Sequence, residues 1–309
     1  MADMKYIYGP VPSRRLGISL GISPIPKKTC NYSCIYCQLG RTDHLTNTRK
    51  MFFPIEEILA EFDEFLKGAV KFDVVTIVGE GEPTLYLGLG ELICEMKKRT
   101  DKPVAVITNG ALFYDPALRA ELYNADIVMP TLDAYDEESF KKISRPYGTI
   151  HFDQVYEGLK VFSEEYQGQL WIGIMLIADV NDDDDESLRK YSEILKNLKY
   201  DRMHINTPVR PPSESYAKAI SHEKMNHAVD ILGGTSIELL ESKGFHSEIT
   251  DNYEALMSII KRHPMNQFEI EGFLNSRGYS DIDSIFNKLK NDTKVISINY
   301  KGYETYRLK

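Results

Sequence analysis

A chain of 309 residues with 42% hydrophobic content has room for one large α/β domain and a small appendage, and its composition is that of an ordinary globular protein. A net charge of −9 argues against a broad basic surface for nucleic acid, while leaving room for a local patch. No apolar run is long enough to span a bilayer and the opening MADMKYIYGPVPSRR lacks the apolar core of a signal peptide, so a cytoplasmic protein is expected. There, four cysteines with three of them bunched point to ligation or catalysis rather than to a disulfide framework.

In chain order, β-rich runs occur as LGISLGI at 16–22, DVVTIV at 73–78, VAVIT at 104–108, DIVMPTL at 126–132, LWIGIMLI at 170–177 and MHINT at 203–207. Most are near-continuously apolar, as parallel strands buried on both faces require. Amphipathic helices lie between them, with stripes at Ile55, Ile58, Leu59, Phe62, Phe65 and Leu66, at Phe152, Val155, Tyr156, Leu159 and Phe162, and at Leu188, Tyr191, Leu195 and Leu198. Six β-then-α units predict either a (β/α)6 open barrel or a doubly wound sheet over residues 1–249. From about residue 250 the pattern becomes three short helices and a hairpin, VISINY-KG-YETYRL, which predicts a winged-helix-like domain over 250–309. Nine Lys or Arg stand against eight Asp or Glu from Asp251 onward, so this unit is expected to pack on the barrel rather than grip nucleic acid.

The unusual residues follow the strands. The cysteine loop TCNYSCIYCQLG comes after the first predicted strand, GEGEPT after the second, NG after the third, DAYD after the fourth, ADVNDD after the fifth and PVRPP after the sixth. In parallel α/β folds these loops share one rim, where active sites form. Three cysteines at positions 30, 34 and 37 match three thiolates of a [4Fe–4S] cluster with one iron left for a non-protein ligand. Two other readings stay open: a zinc site completed by His44, and a Cys34–Cys37 redox pair that gives Cys30 no role. Cys94 lies beside an apolar helical stripe and reads as a small buried hydrophobe. The acidic run from Asp182 to Glu186 precedes SLRKYSEIL and reads as charge at a helix N-terminus. The seven histidines have no metal-ligand spacing.

C-x3-C-x2-C with Tyr36 before the third cysteine resembles the signature of the radical S-adenosylmethionine (SAM) superfamily. The resemblance implies a cluster on Cys30, Cys34 and Cys37 that chelates SAM and reductively cleaves it to a 5′-deoxyadenosyl radical, which abstracts hydrogen from a substrate. It implies SAM contacts from Tyr36, from Gly79, Glu80, Gly81 and Glu82 of the glycine-rich loop, from Asn109 and from Thr131 and Asp133. It extends to Arg145 toward the SAM carboxylate, and to Ile177 and Asn181 toward adenine and ribose. Tyr135, Tyr147 and Arg210 are the expected substrate-facing positions. GEGEPTLY, ITNG, TLDAYDEESFKKISRPYG and INTPVRPP together resemble the stand-alone relatives of the wyosine-synthesis tRNA enzyme over about residues 9–212. That enzyme carries a second cluster on three further cysteines, whereas only Cys94 remains here, and no flavodoxin-like module is present. Electrons are therefore expected from an external donor such as flavodoxin or ferredoxin, with a small molecule, a peptide or tRNA as substrate and no membrane partner. A zinc-bearing winged-helix nucleic-acid binder is the alternative from another class.

Overall fold

The computed structural model describes residues 4–181, 185–237, 244–247 and 249–309. Eight strands form one curled sheet: β1 (Ile7–Ser13), β2 (Gly17–Ile22), β3 (Val74–Ile77), β4 (Val104–Thr108), β5 (Ile127–Pro130), β6 (Gln169–Met175), β7 (Arg202–Asn206) and β8 (Thr235–Ile237), hydrogen-bonded in that order. From β2 onward every pairing is parallel, and only β1 runs antiparallel to β2. Between them lie α1 (Ile55–Leu66), α2 (Leu89–Lys97), α3 (Pro116–Leu122), α4 (Glu137–Ile143), α5 (Phe152–Glu165), α6 (Asp185–Leu195) and α7 (His222–Leu232). The sheet is the partial barrel rather than the flat doubly wound alternative. The six expected strands are β2 to β7; β1 and β8 were not anticipated.

Side chains alternate along each strand, because successive residues of a strand point to opposite faces. Leu20 and Ile22, Val75 and Ile77, Val104 and Val106, Ile172 and Ile174, and Met203 and Ile205 join the helices in the main core. The other face is different. Val74, Ala105, Ile127, Met129 and Trp171 close into a separate apolar plug, and above it the lumen carries Ser19, Thr76, Gly173 and Asn206. The strands are therefore two-faced where continuous apolarity was expected.

Helix starts are specified locally. Asp136 and Ser139 form a reciprocal capping box at α4, and Asp115 with Pro116 opens α3. Asp185 and Glu186 stand in the first turn of α6, as the dipole favours; residues 182–184 of the acidic run lie outside the described residues.

After the barrel come α8 (Asn252–Ile260), β9 (Met265–Asn266), α9 (Gln267–Ser276), α10 (Ile282–Asn291) and the hairpin β10 (Val295–Tyr300) and β11 (Tyr303–Leu308). Lys301 and Gly302 make the hairpin turn, both at positive φ. These elements share their own core, including Leu256, Ile259, Phe273, Leu274 and Tyr306, which Val11 of β1 joins. Among the described residues no helix is long and apolar enough to cross a membrane.

Candidate active site

The cysteine loop leaves the end of β2 and is fixed by its backbone. Thr29–Cys30 pairs in parallel with His44–Leu45. Ser33 N–H donates to Ser144 O at 3.0 Å and Ile35 N–H to Ile143 O at 3.0 Å, while Ser213 Oγ donates to Cys34 O at 2.8 Å. Ile35 is fully buried against Ile143, Ile177 and Ala217, an apolar peg that turns the neighbouring residues inward. Cys30, Cys34 and Cys37 consequently line one cavity of about 430 Å³. Cys30 Sγ accepts from Tyr32 N–H at 3.4 Å and from Asn109 Nδ2 at 3.7 Å.

The glycine-rich loop is bound directly to this one. Glu82 N–H donates to Thr29 O at 3.0 Å, and Lys28 N–H to Glu80 O at 2.5 Å. A Cβ on Gly81 would stand 1.8 Å from Thr29 O, so only glycine lets the two loops approach this closely. The Glu82 carboxylate accepts from Thr84 N–H (3.0 Å), Thr84 Oγ1 (2.6 Å), Thr108 Oγ1 (2.6 Å) and Asn109 N–H (2.8 Å), joining the ends of β3 and β4. It is the peg of the turn, with its pKa raised by burial against the opposing pull of these donors. Across the cavity, Tyr36 donates its hydroxyl to Asp133, whose other oxygen accepts from Met175 N–H at 2.8 Å. Burial raises Asp133 to about 6 despite those bonds. Thr131 and Asn109 also face the cavity.

The donor set fits an iron–sulfur cluster. All three thiols are free, and burial pushes each one up, so they stay protonated unless a cation is bound beside them. Among the described residues no three His, Cys, Asp or Glu side chains converge as a single metal ion requires. A cluster offers each thiolate a different iron and does not demand that convergence. Cys94 is half-buried on α2 and does not line the cavity, and His44 is exposed on the far edge of the loop.

Several expected contacts lie elsewhere. Arg145, at φ 46°, turns away from the cavity, its guanidinium bonded to Glu214 Oε1 at 2.5 Å and Tyr216 OH at 2.9 Å. Asn181 is fully buried and saturated: Oδ1 accepts from Ile177 N–H at 2.7 Å, and Nδ2 donates to Met175 O at 2.8 Å and Tyr191 OH at 2.9 Å. Ile177 is the packing partner of Ile35 rather than a cavity wall. Tyr135 is edge-on to Tyr191 and bonded to Ser187 Oγ, and Tyr147 is 37% exposed on the outer surface. Neither faces the cavity. Arg210 does reach its edge, but both ends of its fork are held by Glu269, at 2.9 and 2.8 Å, and His263 accepts from it at 2.6 Å.

Residues not anticipated complete the cavity. Arg262 enters from α8's C-terminal end, its Nε 3.3 Å from Glu80 Oε2 and its guanidinium 5.2 Å from the Tyr8 ring. Arg15, Ser19, Thr76 and Asn206 line the lumen. The alternation Gly17, Ser19, Gly21 in GISLGI was the available signal, since small polar residues at every second position mark a face that meets space rather than core.

Residues 25–192 match the model of the radical SAM superfamily. The UPF0026 protein of Methanocaldococcus jannaschii is 36% identical over 311 residues, covering 98% of this chain and 96% of that one. Among solved structures, TYW1 with a lysine-pyruvate adduct bound superposes with a TM-score of 0.54 at 21% identity, over 69% of this chain and 72% of TYW1. anSMEcpe with bound AdoMet does so at 0.51 and 19% identity, over 69% of this chain and 56% of that one. At those identities the two structures show a shared fold. The family match over more than half of the length and the near full-length relative decide the matter: the chain belongs to the radical SAM superfamily and is one of its enzymes.

Proposed function

We propose that Cys30, Cys34 and Cys37 hold a [4Fe–4S] cluster and that SAM lies between them and the 79–82 loop, with Asn109, Thr131 and Asp133 along its far side. The observation that carries this reading is the single cavity on which three free thiols and the Gly81 approach face each other. When bound, the reduced cluster supplies the electron that cleaves SAM to methionine and a 5′-deoxyadenosyl radical able to take hydrogen from a substrate. The chain's own part is positional. Glu82 fixes the turn whose backbone meets the cofactor. Tyr36 and Asp133 tie the cysteine loop to the end of β6, and the plug of Trp171, Ile127 and Val74 keeps water from rising through the barrel.

The C-terminal unit is read as a winged-helix-like domain beginning near residue 250 that closes the open side of the barrel. Its arginines support this: Arg262 is spent on Glu80, and Arg307 donates to Gln38 O and Pro211 O, both at 3.2 Å. Cations used this way are not available to phosphates. The electron comes in this reading from an external donor such as flavodoxin or ferredoxin.

Anaerobic reconstitution tests the proposal. It should yield about four irons and four sulfides per chain, and with a strong reductant and SAM should release 5′-deoxyadenosine. A colourless protein with one zinc, or a full cluster that leaves SAM intact, would overturn it.

A further inference from the structure

Arg15 occupies the turn between β1 and β2, at the end of the barrel opposite the cysteine loop, and its side chain lines the lumen. It reaches β6 across the barrel: a Cβ on Gly173 would stand 3.9 Å from Arg15 Nη1. Its guanidinium has no hydrogen-bond or ion-pair partner among the described residues, and burial alone pushes it down to about 10, with no carboxylate acting in the other direction. Arg15 is half-buried, and the arginines at least as withdrawn from water are paired, Arg210 with Glu269 and Arg262 with Glu80, as is the half-buried Arg49 with Glu121. A guanidinium withdrawn from water without a counter-charge is costly, and its charge does not titrate away in the working range.

The surroundings are those of a binding site and not of a packed core. Asn206 Oδ1, at the carboxyl end of β7 and paired in register with Met175, lines the same cavity and is buried without a hydrogen-bond partner. Ser19 and Thr76 hydroxyls, 2.6 Å apart, line the opposite strands. Gly173 keeps the wall beside Arg15 free of a side chain: a Cβ there would stand in ordinary contact with Pro130 O at 3.7 Å, Arg15 Nη1 at 3.9 Å and Thr131 Cγ2 at 4.0 Å. His204, one strand over, is held neutral, lowered to about 4 by burial and by Arg15 and Arg202, so it adds no charge of its own. The acidic groups of the cavity, Glu80, Glu82 and Asp133, all follow strand ends at the rim, and Arg262 offsets Glu80 there.

We infer that the lumen binds the substrate by a carboxylate set against Arg15, with Asn206 Oδ1 accepting from a hydroxyl or amino group of the same molecule. A planar monoanion matches one guanidinium fork with two parallel hydrogen bonds, whereas a phosphate dianion calls for more positive charge than one arginine supplies. The substrate class is thus a small hydroxy- or amino-carboxylate, or a larger molecule presenting that group. This rests on the radical SAM reading in one respect, that SAM fills the rim end of the cavity and leaves the lumen to the substrate.

Calorimetric titration of the reconstituted enzyme with SAM present decides it, using lactate, propionate and inorganic phosphate as probes. Lactate is expected to saturate and to bind more tightly than propionate. Arg15→Gln should weaken both at least tenfold, as loss of a charge-assisted pair does, with iron content and SAM affinity unchanged. Asn206→Ala should erase the advantage of lactate. Equal carboxylate binding by the wild type and Arg15→Gln, or no binding by either, overturns the inference. So does phosphate binding more tightly than both carboxylates, and so does loss of SAM affinity in Arg15→Gln, which would assign the arginine to the cofactor. Should Arg15→Gln not fold, Gly173→Ala serves instead. Its methyl would stand 3.9 Å from Arg15 Nη1 and 4.0 Å from Thr131 Cγ2, and an unchanged lactate affinity there, with SAM affinity retained, overturns the inference equally. A wild type that binds lactate but releases no 5′-deoxyadenosine would instead count against the proposed function alone.

Discussion

The two sides of the rim use their polar groups differently. Along β2 to β4, three thiols stand free and Glu80 Oε1 has no hydrogen-bond partner. Around the end of β6, Asn181 is consumed by Ile177, Met175 and Tyr191, and Tyr191 also donates to Asp133 O at 2.5 Å. Both sides carry polar residues in the loops that follow the strands, and even on the first side Glu82 is fully bonded. What separates them is satisfaction: a buried polar group whose bonds are all made stabilises the fold, and one left open waits for a ligand.

The largest expected effect tests the open side. Cys30→Ala, Cys34→Ala or Cys37→Ala should each abolish the iron that reconstitution installs, while Cys94→Ala retains it; iron and sulfide assays read the contrast, and iron loss in Cys94→Ala would break the comparison. Next comes the seam to the C-terminal unit. Arg210→Ala leaves Glu269, 1% exposed, without its counter-charge, and should cost about 3–5 kcal/mol in denaturant unfolding. The saturated side is tested by Asn181→Ala, which orphans several buried partners and should cost about 2–4 kcal/mol. Iron content is expected to survive it, and loss of SAM affinity in a variant of wild-type stability would restore Asn181 to the cofactor.

The most gradual effect is a pH dependence at the join between the sides. Asp133 is raised by burial from the ordinary 3.8 to about 6. The folded state therefore holds a proton that the unfolded chain releases, so this contribution is full below about pH 4 and is lost as pH rises through about 6. The loss is on the order of 3 kcal/mol. Asp133→Asn should flatten that part of the stability profile relative to the wild type, and an identical profile would show that the carboxyl does not titrate there.

The rhythm of strands and helices was legible because each element states its own period and caps, and the cysteine spacing because three thiols in eight residues have few uses. The same local signals say nothing about which rim residue is already satisfied. Asn181 looked available in ADVNDD, yet its partners include Tyr191 on α6. Arg145 looked like a fork for an anion, yet Glu214, far along the chain, had taken it.

By itself, then, the sequence determined the α/β rhythm, the thiol triad and its neighbour loop, because these are written in short spacings that any fold must honour. Tertiary structure alone decided that Arg262 and Arg210 would be neutralised from across the C-terminal seam and that Arg15 would not. Counter-charges act through space, and only the closed barrel brings together, or keeps apart, residues that lie far apart along the chain.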